Sequence, residues 1–592
     1  MPTEKTTNIV PFQPIAAVAN RTSIGLAFVA FAMTMLLCQG CTTINLHDRG
    51  SVPAVIARTS AAPPTPGALQ ASENNFQPSA QACQAWFEKL DVIVEAAGIR
   101  DAGEHRLDGF PHLRIDRFIA SFQPELREKL RGGSTAEPKM LPPLLWYARG
   151  LDLAARQNEF SNLPQRWRNA VGLTDVAAVR TALTNCSQAL VRRDLGENGG
   201  NTALLEKLVP LWWVPDHYAS WKRALGLYPL TSIPFIKGIL GWQRSTKDTF
   251  SATANIIDAP QDEAFIRYQL AAEHDEGKTN VDIERRFRDS ARNVLGIPQF
   301  STGEWQRLLN RHAPAFEVET KGIFDQIGEV KFGPHEQVIV EPTKPIVYQR
   351  VGFTRIAGKT HVQLSYSAWF TERPKSATAA FDLLGGHLDG VIVRITLDHD
   401  GLPMLVDSIH GCGCYHLFFP TPKLATSPAP TENIEWAFVP KTLPTFVAGQ
   451  RVVVRIASGT HYLTSIRIVD PFKPAAPLQI YRLKSERDLL SLPVKLLALD
   501  ARSENGTGHQ SIFGPNGLVA GTERSERFFF WPMGILSPGA MRQWGTHATA
   551  FVGTRHFDEA DLIDKRFNIV DVNNLRQIGN VGHLEIDGGD KK

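Results

Sequence analysis

The sequence predicts an α+β fold: a helical N-terminal domain, a largely antiparallel β domain, and a mixed C-terminal segment. From about Ser79 to Gly328, apolar residues recur at helical spacing, as in Trp86, Leu90, Ile93, Val94 and Ala97. After Gly328 the period shortens to two, and β-branched runs alternate with turn residues. From about residue 480 short helical and extended patterns mix. The chain has 592 residues, 43% apolar and 21% charged, the composition of a folded globular protein. The net charge is +3 and no basic patch is interleaved with aromatics, so no nucleic-acid partner is expected. There are no internal repeats, no P-loop and no dinucleotide fingerprint.

At the N-terminus, Lys5 and Arg21 precede Ile24–Cys38, an uncharged and mostly apolar run. A basic region, a short apolar core and a small residue at its end form an export signal, here residues 1–41. Gly40-Cys41 resembles a bacterial lipobox, with Cys38 where Leu is usual. That resemblance implies acylation of Cys41 and a membrane partner reached through the lipid. Thr42 is not the Asp that favours inner-membrane retention, so the resemblance points to the outer membrane, with the body facing the periplasm. A plain signal anchor is the alternative. Residues 42–78, rich in Pro, Ala and Ser, read as a linker.

The helical domain spans residues 79–328. Ser79 is a fair N-cap, and Val176, Val179, Leu183, Cys186 and Leu190 form a helical stripe behind Thr174. Cys83 and Cys186 both lie on apolar faces and are a candidate disulfide in an oxidising compartment, with buried free thiols as the alternative. Leu204–Trp242 carries Trp212, Trp213, Trp221 and Trp242 among four prolines. It reads first as a proline-punctuated core segment. The functional alternatives are membrane contact or a sugar- or lipid-binding groove.

The β domain spans residues 329–479. Expected strands include Ile346–Gln349, Gly352–Ile356, Val362–Phe370, Trp436–Val439, Arg451–Ala457 and Tyr462–Val469. His361, Gln363, Ser365 and Ser367 give one strand a polar face that would line a cleft. Val391–Asp398 and Met404–His410 flank Asp400-Gly401, a strong hairpin signal. A two-residue turn would place Arg394 opposite Asp407 and Ile395 opposite Val406. Carried outward, that register sets Asp389 against Cys412 and His387 against Cys414. His387, Asp389, His410, Cys412, Cys414 and His416 would then share the Val391/Ile395 face.

This set suggests three chemistries. His387, Asp389, Cys412, Cys414 and His416 are candidate ligands for zinc or iron, one or two from each strand, because one straight strand spaces its side chains too widely for a single ion. His387-x-Asp389 with a second, distant histidine (His410, His416 or His461) resembles the 2-His-1-carboxylate arrangement of non-haem iron oxygenases. Ser408-Ile409-His410-Gly411-Cys412 resembles the Ser-His-Gly-Cys core of L,D-transpeptidases, with Ile409 inserted. That resemblance implies Cys412 as nucleophile and His387 or His410 as its base. The third chemistry is none: the thiols fill a core and the imidazoles satisfy neighbours. A Cys412–Cys414 disulfide would be strained in an extended C-x-C.

In the mixed segment, residues 480–592, Asp558 and Asp561 look like a helix start, and His547 and His556 are candidates for a missing ligand. The expected function is an envelope-anchored lipoprotein, a scaffold or binding module with a metal site on the 385–419 hairpin. The alternative is a metal- or cysteine-dependent hydrolase or transferase of the cell envelope.

Overall fold

The structure is a computed structural model and describes residues 79–131, 139–172, 175–196, 202–253, 264–271, 276–375, 382–430, 434–469, 478–495 and 507–570. The signal peptide, Cys41 and the 42–78 linker lie outside the described residues.

Helix α1 (Ala80–Ala97) starts at Ser79, whose hydroxyl accepts the Ala82 N–H at 3.2 Å, and stops at Gly98 in the left-handed region. Its Cys83, Trp86, Phe87, Leu90 and Ile93 form one core with α3 (Val176–Leu195). The cap of α3 is Asp175, whose carboxylate accepts the Ala178 N–H at 2.7 Å. A disulfide joins Cys83 and Cys186, tying α1 to α3 with Cα atoms 5.1 Å apart. Helix α2 (Leu141–Asn162), between them in sequence, packs on α3. Its Asp152 and Glu159 pair with buried Arg114 at 3.1 and 2.7 Å.

The rest of the chain is built on a ten-stranded sheet. Its strands are β1 (Phe265–Leu270), β2 (Ala315–Glu319), β3 (Ile346–Ile356), β4 (Lys359–Arg373), β5 (Gly386–Leu397), β6 (Pro403–His410), β7 (Leu417–Pro420), β8 (Arg451–Ile456), β9 (Leu463–Val469) and β10 (Leu478–Ser485). The spatial order is β7-β6-β5-β4-β3-β10-β1-β2-β8-β9. Pairing is antiparallel except where β10 meets β1 and β3 and where β8 meets β2. The sheet curls: Phe419 on one edge strand and Ile466 on the other share a core. Filling that concave side are Phe250 of α5 (Tyr228–Ala252), Phe287 of α6 (Glu276–Asp289) and Leu308 of α7 (Thr302–His312). The convex side of β5 and β6 is also covered, with Phe557 packed on Ile392 and Ile409. Burial on both faces explains why these strands read as nearly continuous apolar runs.

The sequence expectation differs in several places. Strands β1 and β2 lie in the stretch expected to be helical, as does a hairpin of His105–Leu107 with Phe110–Ile115. Strands this short show only two or three alternations, too few to stand out between helices. Residues 346–356 form one strand rather than two. Trp436–Val439 is not a strand, although the Phe438 carbonyl accepts the Phe418 N–H at 3.0 Å. Asp558 starts no helix: Arg117 donates to it at 3.1 Å, and α8 (Arg527–Phe530) is the one α-helix among the described residues after 480.

Candidate functional site

The hairpin register is as expected over most of its length. Ile395 pairs with Val406, Arg394 with Asp407, and Val391 with His410. The turn is not the expected two-residue type. Asp398 donates its N–H to the Leu402 carbonyl at 2.8 Å, leaving His399, Asp400 and Gly401 as a three-residue loop. Gly401 takes φ +78°, and the Asp398 carboxylate accepts the Asp400 and Leu402 N–H groups at 2.8 and 3.0 Å. The extra loop residue is absorbed by an irregularity between Pro403 and Leu405, which restores the register.

The outer ladder is where the expectation fails. After one further bond, Gly411 N–H to the Gly390 carbonyl at 2.8 Å, the chain leaves β5. Gly413 and Tyr415 take φ +92° and +62°, and the His410 N–H donates to the Cys414 carbonyl at 3.0 Å. Gly411–His416 is thus a tight reversal that leads into β7 on the other side of β6. Cys412 and Cys414 therefore do not oppose Asp389 and His387. The six candidate residues are distributed over four surroundings.

Asp389 and His410 stay together at the concave end of the sheet. Asp389 Oδ1 accepts the Gly390 N–H at 2.9 Å, and His410 Nδ1 lies 3.7 Å from the same oxygen. His461, from the β8–β9 connection, reaches Asp389 Oδ2 with Nδ1 at 2.8 Å. Its Nε2 lies 3.4 Å from Asp325, and its ring stacks on Phe370 with centroids 4.0 Å apart. His461 therefore bridges two buried carboxylates. Burial opposes its protonation, but the hydrogen bonds to Asp325 and Asp389 outweigh burial and hold the imidazole above its ordinary range. Burial likewise raises Asp389, while His410 and His461 hold its carboxyl well below the usual range. His410 itself is pushed down by burial.

A ring of residues that the sequence reading passed over surrounds this group. Arg373 donates to the Tyr462 hydroxyl at 3.2 Å, Tyr415 and Tyr462 have ring centroids 4.6 Å apart, and Arg524 lies 3.9 Å from Asp389. Glu526 is buried beside these arginines, and burial pushes its carboxyl up to about 7. Tyr415, next to Cys414, and Tyr462, next to His461, were legible as neighbours of candidates. Arg524 and Glu526 carry no periodic signal and arrive from over 100 residues away in sequence.

His416 is on the opposite side of the sheet. Its Nε2 meets Asp407 at 2.9 Å, and Asp407 receives Arg394 at 3.0 and 2.6 Å. All three side chains are fully buried. His387 is exposed at the start of β5, with Nε2 2.6 Å from the Val338 carbonyl. Cys412 and Cys414 are free, buried thiols in an apolar cluster with Trp369, Leu388 and Met541. A hydrogen bond to Cys412, and then burial, push the Cys414 thiol up. Among the described residues neither thiol is hydrogen-bonded to an imidazole. His547 packs near Phe557 and beside Gly411 and Gly413 of the reversal, and His556 faces Asp216 at 3.2 Å.

The expected metal set His387, Asp389, Cys412, Cys414 and His416 is thus corrected. The reversal at Gly411–His416 disperses it, and no three His, Cys, Asp or Glu side chains among the described residues converge to hold an ion. The base–thiol pairing that the L,D-transpeptidase resemblance implies is absent for the same reason. No protein-family model matches the chain, and comparison with curated proteins and with solved structures gives no match either.

Proposed function

We propose that this chain is an envelope-anchored lipoprotein that serves as a scaffold or binding module, with Cys41 as the acylated residue, the outer membrane as its address and the body in the periplasm. The observation that carries the non-catalytic part is the closure of the 385–419 hairpin. Asp389, His461 and Asp325 bond to one another, as do Asp407, Arg394 and His416, in buried surroundings. Such groups specify a core rather than meet a substrate. The Cys83–Cys186 disulfide supports an oxidising compartment. The test is fractionation of cells expressing the full chain after labelling with radioactive palmitate. Label should vanish in Cys41→Ser, and membrane association should fall. Palmitate-free chain in the membrane fraction would replace the lipoprotein with a plain anchor.

One observation favours chemistry instead. Glu526, at about 7, lies in the same buried ring as His410, whose Nε2 has no hydrogen-bond partner among the described residues. On that reading the ring is the centre of an envelope hydrolase or transferase, and a Glu526→Gln chain of unchanged stability would lose its activity on cell-wall or lipid esters and amides. No turnover of such substrates by the wild-type chain leaves the scaffold reading.

A further inference from the structure

Helix α5 and the short helix before it, α4 (Ser220–Leu225), present their apolar residues outward. Along α5, Ile236, Ile239, Thr246 and Phe250 are buried, and Ile236 and Ile239 pack against Met533 and Val552. A flanking stripe holds Leu230, Ile233, Lys237, Leu240, Arg244 and Lys247, spaced by three or four residues and all exposed. On a water-facing helix that stripe is polar. Here Leu230, Ile233 and Leu240 are apolar and Lys237, Arg244 and Lys247 basic. At the corner between the helices, Trp221 is 62% exposed, Leu225 66% and Leu227 61%, and Leu230 follows at 66%. Phe528 on α8 is 59% exposed, and its neighbour Phe530 packs edge-on against Phe235 of α5 with centroids 5.1 Å apart.

The corner is fixed in place. Arg223 donates to the Met533 and Gly553 carbonyls at 2.9 and 2.6 Å, and the Ala219 N–H donates to Gly534 at 2.8 Å. Gly226 sits so close to Pro532 that a Cβ would lie 2.5 Å from it. Leu227, at φ +48°, holds a left-handed conformation unusual for leucine and turns its side chain out at the apex. The charge within the corner is basic: Lys222, Arg223, Lys237, Arg244 and Lys247 lie between Asp216 and Asp248, with no acidic residue between those two. No helix among the described residues is long and apolar enough to cross a membrane.

We propose that this corner docks on an anionic phospholipid surface, with Trp221, Leu225, Leu227 and Leu230 entering the headgroup–acyl boundary and the lysines and arginines at the phosphates. Protruding aliphatic and indole side chains with a cationic flank are the pattern of interfacial helices. A bilayer also takes a convex apolar corner without a complementary groove. The proposal deepens the membrane-anchored reading, because a body held close to the bilayer by a second contact is more than a tethered one. It also corrects the expectation that the Trp-rich segment is simply core. Trp212 is buried, while Trp213 and Trp221 are exposed.

The full chain, as wild type, Cys41→Ser, Trp221→Phe, and Leu227→Asp/Leu230→Asp, is mixed with vesicles of phosphatidylglycerol and phosphatidylethanolamine, or of phosphatidylcholine alone. Flotation and quenching of tryptophan emission by brominated acyl chains are read together. We expect the Trp221 emission, taken as wild type minus Trp221→Phe, to be quenched on anionic vesicles and much less on neutral ones. In the Cys41→Ser background the aspartate pair should lower partitioning about tenfold or more, with unchanged circular dichroism. Wild-type chain that floats while Trp221 stays unquenched overturns the docking and leaves the anchor standing. Chain that floats and is quenched equally with and without Cys41 overturns the anchor and leaves the docking. Protection of Trp221 by self-association at rising protein concentration without lipid overturns the choice of a bilayer.

Discussion

Removing the Asp407 carboxylate tests the closed interior most directly. Asp407 accepts two bonds from Arg394, at 3.0 and 2.6 Å, and faces His416 at 2.9 Å. Arg394 also donates to the Phe557 carbonyl and lies 3.7 Å over the Phe557 ring, with no exposure to water. In Asp407→Ala the guanidinium keeps its charge and loses its counterion. Breaking one side of a buried pair costs about 3–5 kcal/mol. Replacing both partners, as Arg394→Met with Asp407→Leu, removes the charge as well as the pair and should recover most of that loss. Urea unfolding followed by circular dichroism reads the difference as a lower midpoint at unchanged slope. A loss below about 1 kcal/mol in Asp407→Ala is the cost of a solvated pair. It would refute a dry convex face and reopen this side of the hairpin to a ligand.

Three other outcomes follow from the same coordinates. Cys83 and Cys186 are separated by 103 residues, and a loop of that length implies about 4–5 kcal/mol of stabilisation by chain entropy; Cys83→Ala with Cys186→Ala should unfold at markedly lower urea, and an unchanged midpoint would mean the helices are held without the bridge. Gly401→Ala places a Cβ at φ +78° and 3.0 Å from the Phe287 ring, so it should lower stability by about 1 kcal/mol or more, where no loss would refute the three-residue loop. Burial pushes His312, His416 and His547 down to about 3 and His361 to about 4. Because the unfolded chain takes up these protons near pH 6.5, stability should be complete above that pH and fall as the solution is acidified towards those lower values, by up to about 1.4 kcal/mol per pH unit for each imidazole. His461 opposes this: its raised value makes its contribution present below about 6.5 and lost as pH rises through its folded value. Urea midpoints at about pH 7.5, 6 and 5 should fall in that order, and a rise towards pH 5 would mean that the imidazoles are hydrated.

The α+β class was legible because hydrophobic period is a local property, and α1 and β5 each carry enough repeats to display it. The hairpin register was legible for the same reason, reinforced by Arg394 opposite Asp407. The candidate site was not, because its geometry turns on backbone signs that side-chain identity does not announce. Tyr415 is a left-handed tyrosine, and with Gly413 it converts an apparent strand into a reversal. That one bend separates His416 from His410 by the thickness of the sheet. The partners Asp389 does find, His461 and Arg524, come from other loops, where position is set by the global chain path and not by local pattern.

That path has a consequence for assembly. Strand β10 sits between β3 and β1 and, among the described residues, is the strand that links the two halves of the sheet, yet it lies after about four-fifths of the chain. Each half can pair within itself before residues 478–485 emerge, but the two halves cannot join until then, and the final pairing is parallel and long-range, which is slow to form. Until residues 478–485 arrive, the facing edges of β1 and β3 lack the strand that lies between them.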